Sequence, residues 1–426
     1  MSPTFRSLHV RNYRLYASGA VVSNVGTWMQ RVAQDWLVLQ LTNNSGTALG
    51  ITTGLQFLPI LLLSPYAGLV ADRFPKRRLL QVTQLMLAVP ALVLGLLAVT
   101  GVAQEWHVYV LATIFGIGAA FDAPARQSFV SEIVDPDDLT NAVGLNSASF
   151  NLGRVIGPAV AGLLIAALGS GVPATGAVII LNALSYGAVI VSLQRMRQRE
   201  LHPAKPAERH QGMIRDGVRY TLARPDLMLV LTIVGFAGTF GLNFQLTSAL
   251  MATEVFDKGA GEYGILGTTL AVGSLAGALL AARRVQVRQR LVVLAAGAFG
   301  VSEIVAGLLP SYLTFALWTP VIGIAALTMI TAANATFQMR VAPAMRGRVM
   351  ALYMMVFMGG TPIGSPIVGW VGEEYGARWT LIGGGVATLL GTALAVLVFS
   401  RATRPAGGHA DPDEPHTHGR VPAGRA

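Results

Sequence analysis

An all-α polytopic membrane protein, with twelve transmembrane helices in two related groups of six, is the fold class this 426-residue sequence predicts. Three observations carry it. Apolar stretches of bilayer-crossing length fill the chain almost from end to end. The basic residues collect in alternate connections between those stretches. The two halves repeat one another at a fixed offset.

The apolar runs place helices near 14–40, 47–71, 78–99, 106–128, 139–168 and 172–193 in the first half. In the second they fall near 227–250, 261–282, 290–309, 312–334, 346–371 and 376–399. Each is long enough to cross about 30 Å of hydrocarbon. The segment Met1 to Arg14 is basic and polar and leads into the first run with no small-residue cleavage pattern, so that run reads as a retained helix.

Composition agrees. Hydrophobic residues make up 53% of the chain and charged residues 12%, against about 25% charged in an ordinary soluble domain. The 48 glycines suit helices whose backbones approach closely in lipid. There is no cysteine, which removes disulfides, thiolate metal sites and cysteine nucleophiles.

The formal charge of +10 follows topology and forms no nucleic-acid-binding face. Of 31 Lys and Arg, 27 lie in one alternating set of loops and the two termini, including Arg73, Lys76, Arg77 and Arg78 and the run from Arg195 to Arg224. The opposite loops hold Lys258 and Arg378, and Arg31 and Arg154 lie inside spans. The asymmetry predicts an even number of spans with both termini in the cytoplasm, hence a multi-pass protein of the cytoplasmic membrane.

Four segments follow: a six-helix unit over 1–193, a basic linker over 194–225, a second unit over 226–400 and a disordered cytoplasmic tail over 401–426. Within the linker, 210–224 predicts a short amphipathic helix presenting Ile214, Val218 and Leu222 to lipid or to the bundle. With an offset of 207, Pro136 falls on Pro343, Gly153 on Gly360, Gly157 on Gly364 and Gly162 on Gly369. Duplication of this kind marks transporters in which one half rocks against the other around a central site. His409, His416 and His418 in the tail read as solvated residues, with no metal or cofactor expected.

Charges inside a bilayer are costly and usually face a cavity or another polar group. In the first span Asn24, Arg31 and Asp35 fall at helical steps, with Gln34 beside them. Arg31 and Asp35 either neutralise each other or serve a substrate or proton path. The second span closes on GLVADRFPKRR, Gly68 to Arg78, where an aspartate ahead of a basic cluster suggests a conformational latch formed by Gly68, Asp72, Arg73 and Arg77. Asp122 and Arg126, at i and i+4, share one helix face; Arg126 pairs with Asp122 or reaches Asp72.

The fifth span carries Asn146, Asn151 and GRVIGPAVAG, which contains Gly153, Arg154, Gly157, Pro158 and Gly162. Its glycines favour tight crossing and its proline a kink. Pro362 and Pro366 recur among the matching glycines of the eleventh span. Glu303 is isolated in the ninth span and joins Asp35 as a candidate for carrying a proton. Asn243, Gln245, Asn334, Met354 and Met358 are further candidates for a substrate cavity, with the aromatics Trp28 and Phe57.

GLVADRFPKRR resembles the signature of the major facilitator superfamily between spans two and three, with Gly68, Asp72, Arg73 and Arg77 in the diagnostic places. GRVIGPAVAG resembles the fifth-span motif of its antiporters. The opening stretch from Phe5 is similar to the drug:proton antiporter branch that includes macrolide-type effluxers and the catecholate siderophore exporter. The resemblance runs from Phe5 to about Ser400. It implies two pseudo-symmetric six-helix bundles around a central cavity, alternating access, and export of small amphipathic molecules driven by inward proton flow. It also implies an inter-bundle latch from Asp72 and Arg126, and control of the outward-closed state by Gly153, Gly157 and Pro158. The matching loop of the second half, GALLAARRVQVRQR, keeps the basic residues but lacks the aspartate.

The expected partners are a small-molecule substrate, protons and the lipid bilayer, with one chain sufficient as a monomer. A uniporter, importer or lipid-type transporter is the alternative on the same scaffold. A membrane enzyme would need a convergent catalytic set, and the sequence offers neither a Ser–His–Asp arrangement nor a His-rich intramembrane motif.

Overall fold

The computed structural model describes residues 3–202, 213–282 and 289–399. The predicted tail with its three histidines, the middle of the linker and most of the second basic loop lie outside these. Elements within the described residues are helical.

The first half contains α1 (Arg11–Leu41), α2 (Gly46–Arg73), α3 (Lys76–Val99), α4 (Glu105–Ile133), α5 (Pro136–Ala167) and α6 (Val172–Arg195). A linker helix α7 (Met213–Leu222) follows. The second half contains α8 (Pro225–Phe236), α9 (Phe244–Leu250), α10 (Ala260–Ala282), α11 (Gln289–Leu308), α12 (Tyr312–Arg340), α13 (Pro343–Gly359), α14 (Thr361–Tyr375) and α15 (Ala377–Phe399). In the first half α1 packs on α5 and α6, α2 on α4, and α3 on α4 and α6. In the second α10 packs on α12, and α11 on α12 and α15. The halves meet along α2 against α14 and α5 against α10.

Local chemistry sets the helix ends. Ser45 caps α2 by accepting from the Ala48 N–H at 3.1 Å. Prolines open α5, α6, α8, α13 and α14, where a missing N–H costs nothing. Gly376, at φ 97°, turns the chain from α14 into α15 in a region that a side chain would disfavour.

Among the described residues, eleven helical segments are long and apolar enough to cross a membrane. The expected first span, α1, has the length, with 31 residues, but not the hydropathy. Asn24, Gln30, Arg31, Gln34 and Asp35 dilute it, and buried Gln30, Gln34 and Asp35 face protein, which tolerates polarity that lipid would not.

Two expected spans are interrupted. The one predicted at 227–250 runs on to Val255 and carries π turns at Ala237–Gly241 and Met251–Val255. A π turn releases backbone groups from the regular ladder, and Asn243 Nδ2 donates to the Thr239 carbonyl at 2.8 Å. The one predicted at 346–371 divides at Gly360, because Pro362 has no N–H to continue the ladder.

The predicted amphipathic helix forms as α7. Its Gly217 seats against Arg348 of α13, and Asp216 pairs with Arg348 at 3.3 Å. Leu222 is exposed and Val218 half-buried; the Ile214 side chain lies outside the described set.

The repeated glycines do the same work in each half. A Cβ on Gly153 would sit 2.8 Å from the Asn24 backbone, and one on Gly157 2.5 Å from Trp28 Cβ. Both contacts seat α5 on α1. Their counterparts Gly360 and Gly364 meet Thr239 of the π turn, where a Cβ added to Gly364 would overlap its carbonyl oxygen. Gly162 and Gly369 instead face the other half, where an added Cβ would run into the Ala260 carbonyl and the Gly46 carbonyl. Gly50 against Ser365 and Gly264 against Pro158 extend these two seams. Both seams lie toward one face, the one carrying the turns after α1, α5 and α14. We call it the far face, opposite the face that holds the start of α1 and the end of α15.

Candidate functional site

Between the halves lies a cavity of about 280 Å³. From the first half it takes Trp28, Arg31, Phe57, Arg154 and Pro158. From the second it takes Asn243, Gln245, Tyr263, Ser274 and Met358, with the aromatics Phe244, Phe299 and Phe357. The wall is apolar with polar groups at a few points, as small-molecule sites generally are.

Arg31 and Arg154 are the charged residues on that wall. The Arg31 guanidinium lies 4.8 Å from the Trp28 ring centre and 5.5 Å from that of Phe57. Arg154 lies 5.9 Å from the same Trp28 ring. Aromatic faces attract such cations. Arg31 Nη1 donates to Gln245 Oε1 at 3.4 Å, and Arg154 Nη2 to Ser274 Oγ at 2.8 Å. Both bonds cross between halves.

Asp35 forms no ion pair with Arg31, which is one of the two arrangements the sequence allows. It is buried and accepts from the Tyr263 hydroxyl at 2.8 Å, while Trp36 stacks on the Tyr263 ring with centroids 6.3 Å apart. The hydroxyl fixes the carboxylate toward α10, and Arg31 turns to Gln245 and the aromatic rings. Glu303 is also buried, at 1% exposure, and its Oε2 has no hydrogen-bond partner among the described residues. It stands one layer behind the wall. A Cβ on Gly241, the last residue of the first π turn, would be 3.0 Å from Glu303 Oε2.

Of the predicted cavity residues, Arg31, Asn243, Gln245 and Met358 reach the wall. The others lie off it, each for a visible reason. Asn24 donates to Ser149 Oγ at 2.9 Å, fastening α1 to α5. Gln34 donates to Gln56 Oε1 at 2.8 Å, fastening α1 to α2. Asn151 bonds the Ser147 carbonyl of its own helix at 2.9 Å. Asn334 accepts from Gln338, also at 2.9 Å. Met354 is 43% exposed, and Asn146 sits half-buried on α5. Sequence reasoning missed Tyr263 and Ser274. A tyrosine at a span end and a serine among small residues carry no distinguishing signal.

The Asp122–Arg126 pair forms within α4, with Nε to Oδ2 at 3.0 Å. Thr83 Oγ1 and Gln84 Nε2 each donate to Asp122 Oδ1 at 2.8 Å, tying α4 to α3. Arg77 donates to the carbonyls of Leu193 and Gln194 at 2.6 and 3.1 Å, closing the end of α6. Arg73 is exposed, and Asp72 and Gly68 are half-buried. These bonds of Asp122, Arg126 and Arg77 stay inside the first half; the expected latch between halves is not engaged through them.

The chain is 24% identical over 379 residues to the staphyloferrin A transporter of Staphylococcus aureus, spanning 88% of this chain and 93% of that one. It is 25% identical over 396 residues to macrolide efflux protein A of Streptococcus pyogenes, spanning 89% and 94%. Its fold matches an inward-facing, occupied bacterial homologue of the human lysosomal transporter Spinster, with TM-score 0.70, 18% identity and coverage of 92% and 97%. Residues 2–415 match the model of the transmembrane secretion effectors, and the chain belongs to that family of major facilitator transporters.

Proposed function

We propose that this multi-pass transporter exports small amphipathic organic molecules across the cytoplasmic membrane, as a monomer, exchanging them for protons by alternating access. The observation that carries this reading is the hydrogen bond from Tyr263 to Asp35 beside the central cavity. It joins an intramembrane carboxylate of one half to the wall of the other, so the carboxylate's protonation and the contact between halves are tied together. The glycine seams at the far face support a conformation closed on that side. The distribution of basic residues supports a cytoplasmic location for the opposite face. The relative named for macrolide efflux supports outward movement of the substrate.

The experiment is proton flux from purified full-length chain in liposomes under an imposed pH gradient, with candidate substrates added singly. Substrate-dependent flux that disappears in Asp35→Asn or Glu303→Gln is the expected result. Substrate accumulation without proton flux would replace the antiporter by a uniporter, importer or lipid-type transporter.

A further inference from the structure

We propose that the cavity selects an amphipathic organic anion: a molecule with a carboxylate or equivalent acid on an apolar, partly aromatic body. This names the substrate class for the site above and rests on the exporter reading for its role, though the binding itself does not.

The argument is one of charge. Two guanidiniums, Arg31 and Arg154, lie on the wall within reach of one ring, Trp28. Among the described residues neither has a carboxylate partner; their hydrogen bonds go to the neutral groups Gln245 and Ser274. No acid is on the wall. Asp35, one turn along α1, attracts Arg31 through space but lies beyond ion-pair distance and gives its oxygen to the Tyr263 hydroxyl. Two like charges in a low-dielectric interior repel each other and lack the hydration they would have in water. Neutral amides and ring faces compensate them only in part. An anion supplies what is missing, and a guanidinium receives a carboxylate through two parallel N–H donors. Phe57, Phe244, Phe357 and Met358 provide the surface for an apolar body. A cationic drug would enter against both arginines with no carboxylate to meet it.

The test uses one fluorophore with opposite ends: dansylglycine, which carries a carboxylate, and N-dansylethylenediamine, which carries an ammonium. Binding to the full-length chain in phosphatidylcholine nanodiscs is followed by energy transfer from tryptophan, with empty nanodiscs as the blank. Dansylglycine is expected to bind at least about tenfold more tightly than the amine, and Arg154→Gln to weaken it by about tenfold, the scale of one charge-assisted contact. Equal affinity for the two dyes, or an unchanged affinity in Arg154→Gln, overturns the proposal. Should that variant fail to fold, Arg154→Lys keeps the charge without the planar fork and is expected to lose a smaller part. The two-dye comparison on the unmodified chain stands regardless. Transport of both dyes in liposomes separates the readings. Arginine-dependent binding of dansylglycine without its export keeps the anion site and removes the exporter. Export of the amine, with the acid neither bound nor moved, keeps the exporter and removes the anion site.

Discussion

Tyr263 of α10 donates its hydroxyl to Asp35 of α1 at 2.8 Å, a bond between side chains that begin 228 residues apart and in different halves. Trp36 and Tyr263 stack beside it. The pair is therefore both a contact that holds the halves together and the place where an intramembrane carboxylate meets a donor. Tyr263→Phe keeps the stacking and removes the donor. An unsatisfied buried acceptor costs about 1–3 kcal/mol, so the state closed at the far face should lose population. Spin-label distances across that face should lengthen, and substrate-driven proton flux should fall while ligand binding persists. Unchanged distances and flux would remove Tyr263 from the coupling.

The glycine seams distinguish folding from gating. A methyl at Gly264 would sit 2.3 Å from the Pro158 carbonyl, across the halves. A methyl at Gly364 would sit 1.6 Å from the Thr239 carbonyl, inside one half. Gly264→Ala is expected to fold, to resist closure of the far face and to lose transport. Gly364→Ala is expected to lower expression and melting temperature, in the range of about 1–3 kcal/mol for overpacking. Because the chain has no cysteine, pairs introduced across the far face report closure by cross-linking without background.

Glu373 forms a clasp at the rim of the same face. Its Oε2 accepts from Ser45 Oγ at 2.8 Å and from the Thr47 N–H at 2.9 Å, joining the end of α14 to the start of α2. Glu373→Gln weakens the acceptor and removes its charge from a helix N-terminus. The expected effect is about 1 kcal/mol toward the open far face, visible as faster cross-linker access from that side. No change in access would mean that these two bonds do not hold the far face shut.

Asp122→Asn addresses stability. The amide can still meet Thr83 or Gln84, but Arg126 is left without its carboxylate, in a position where its side chain is 18% exposed. Breaking a largely buried pair from one side costs about 3 kcal/mol. The variant should melt well below the unmodified chain, and Asp122→Asn with Arg126→Gln should recover part of the loss. A melting point equal to that of the unmodified chain would count against the pair's role in joining α3 to α4.

Much of this architecture was legible because it depends on one-dimensional signals. Apolar runs marked the spans, and an offset of 207 residues marked the duplicated glycines, which prove to make equivalent contacts in each half. Arg31 and Arg154 stood out because a charge within a span demands an explanation. Neutral polar residues did not sort so well. Asn24 and Gln34 fasten helices, whereas Asn243 and Gln245 face the cavity, and nothing in a residue's identity separates these uses. Only packing does. The π turns left no one-dimensional mark either: the first sets Thr239 against Gly360 and Gly364, a contact made from segments far apart in the chain.

That fit also constrains how the molecule can move. With the Thr239 carbonyl filling the space where Gly364 would carry a side chain, the rod containing α8 and α9 cannot slide along the rod containing α13 and α14. In any rocking motion the two are expected to travel as a single stiff arm. One end of the arm bears Gly369 on the far-face seam, and its middle bears Asn243, Gln245 and Met358 on the cavity wall. A tilt that parts the seam thus reshapes the binding wall in the same stroke, with no relay of intermediate side chains required.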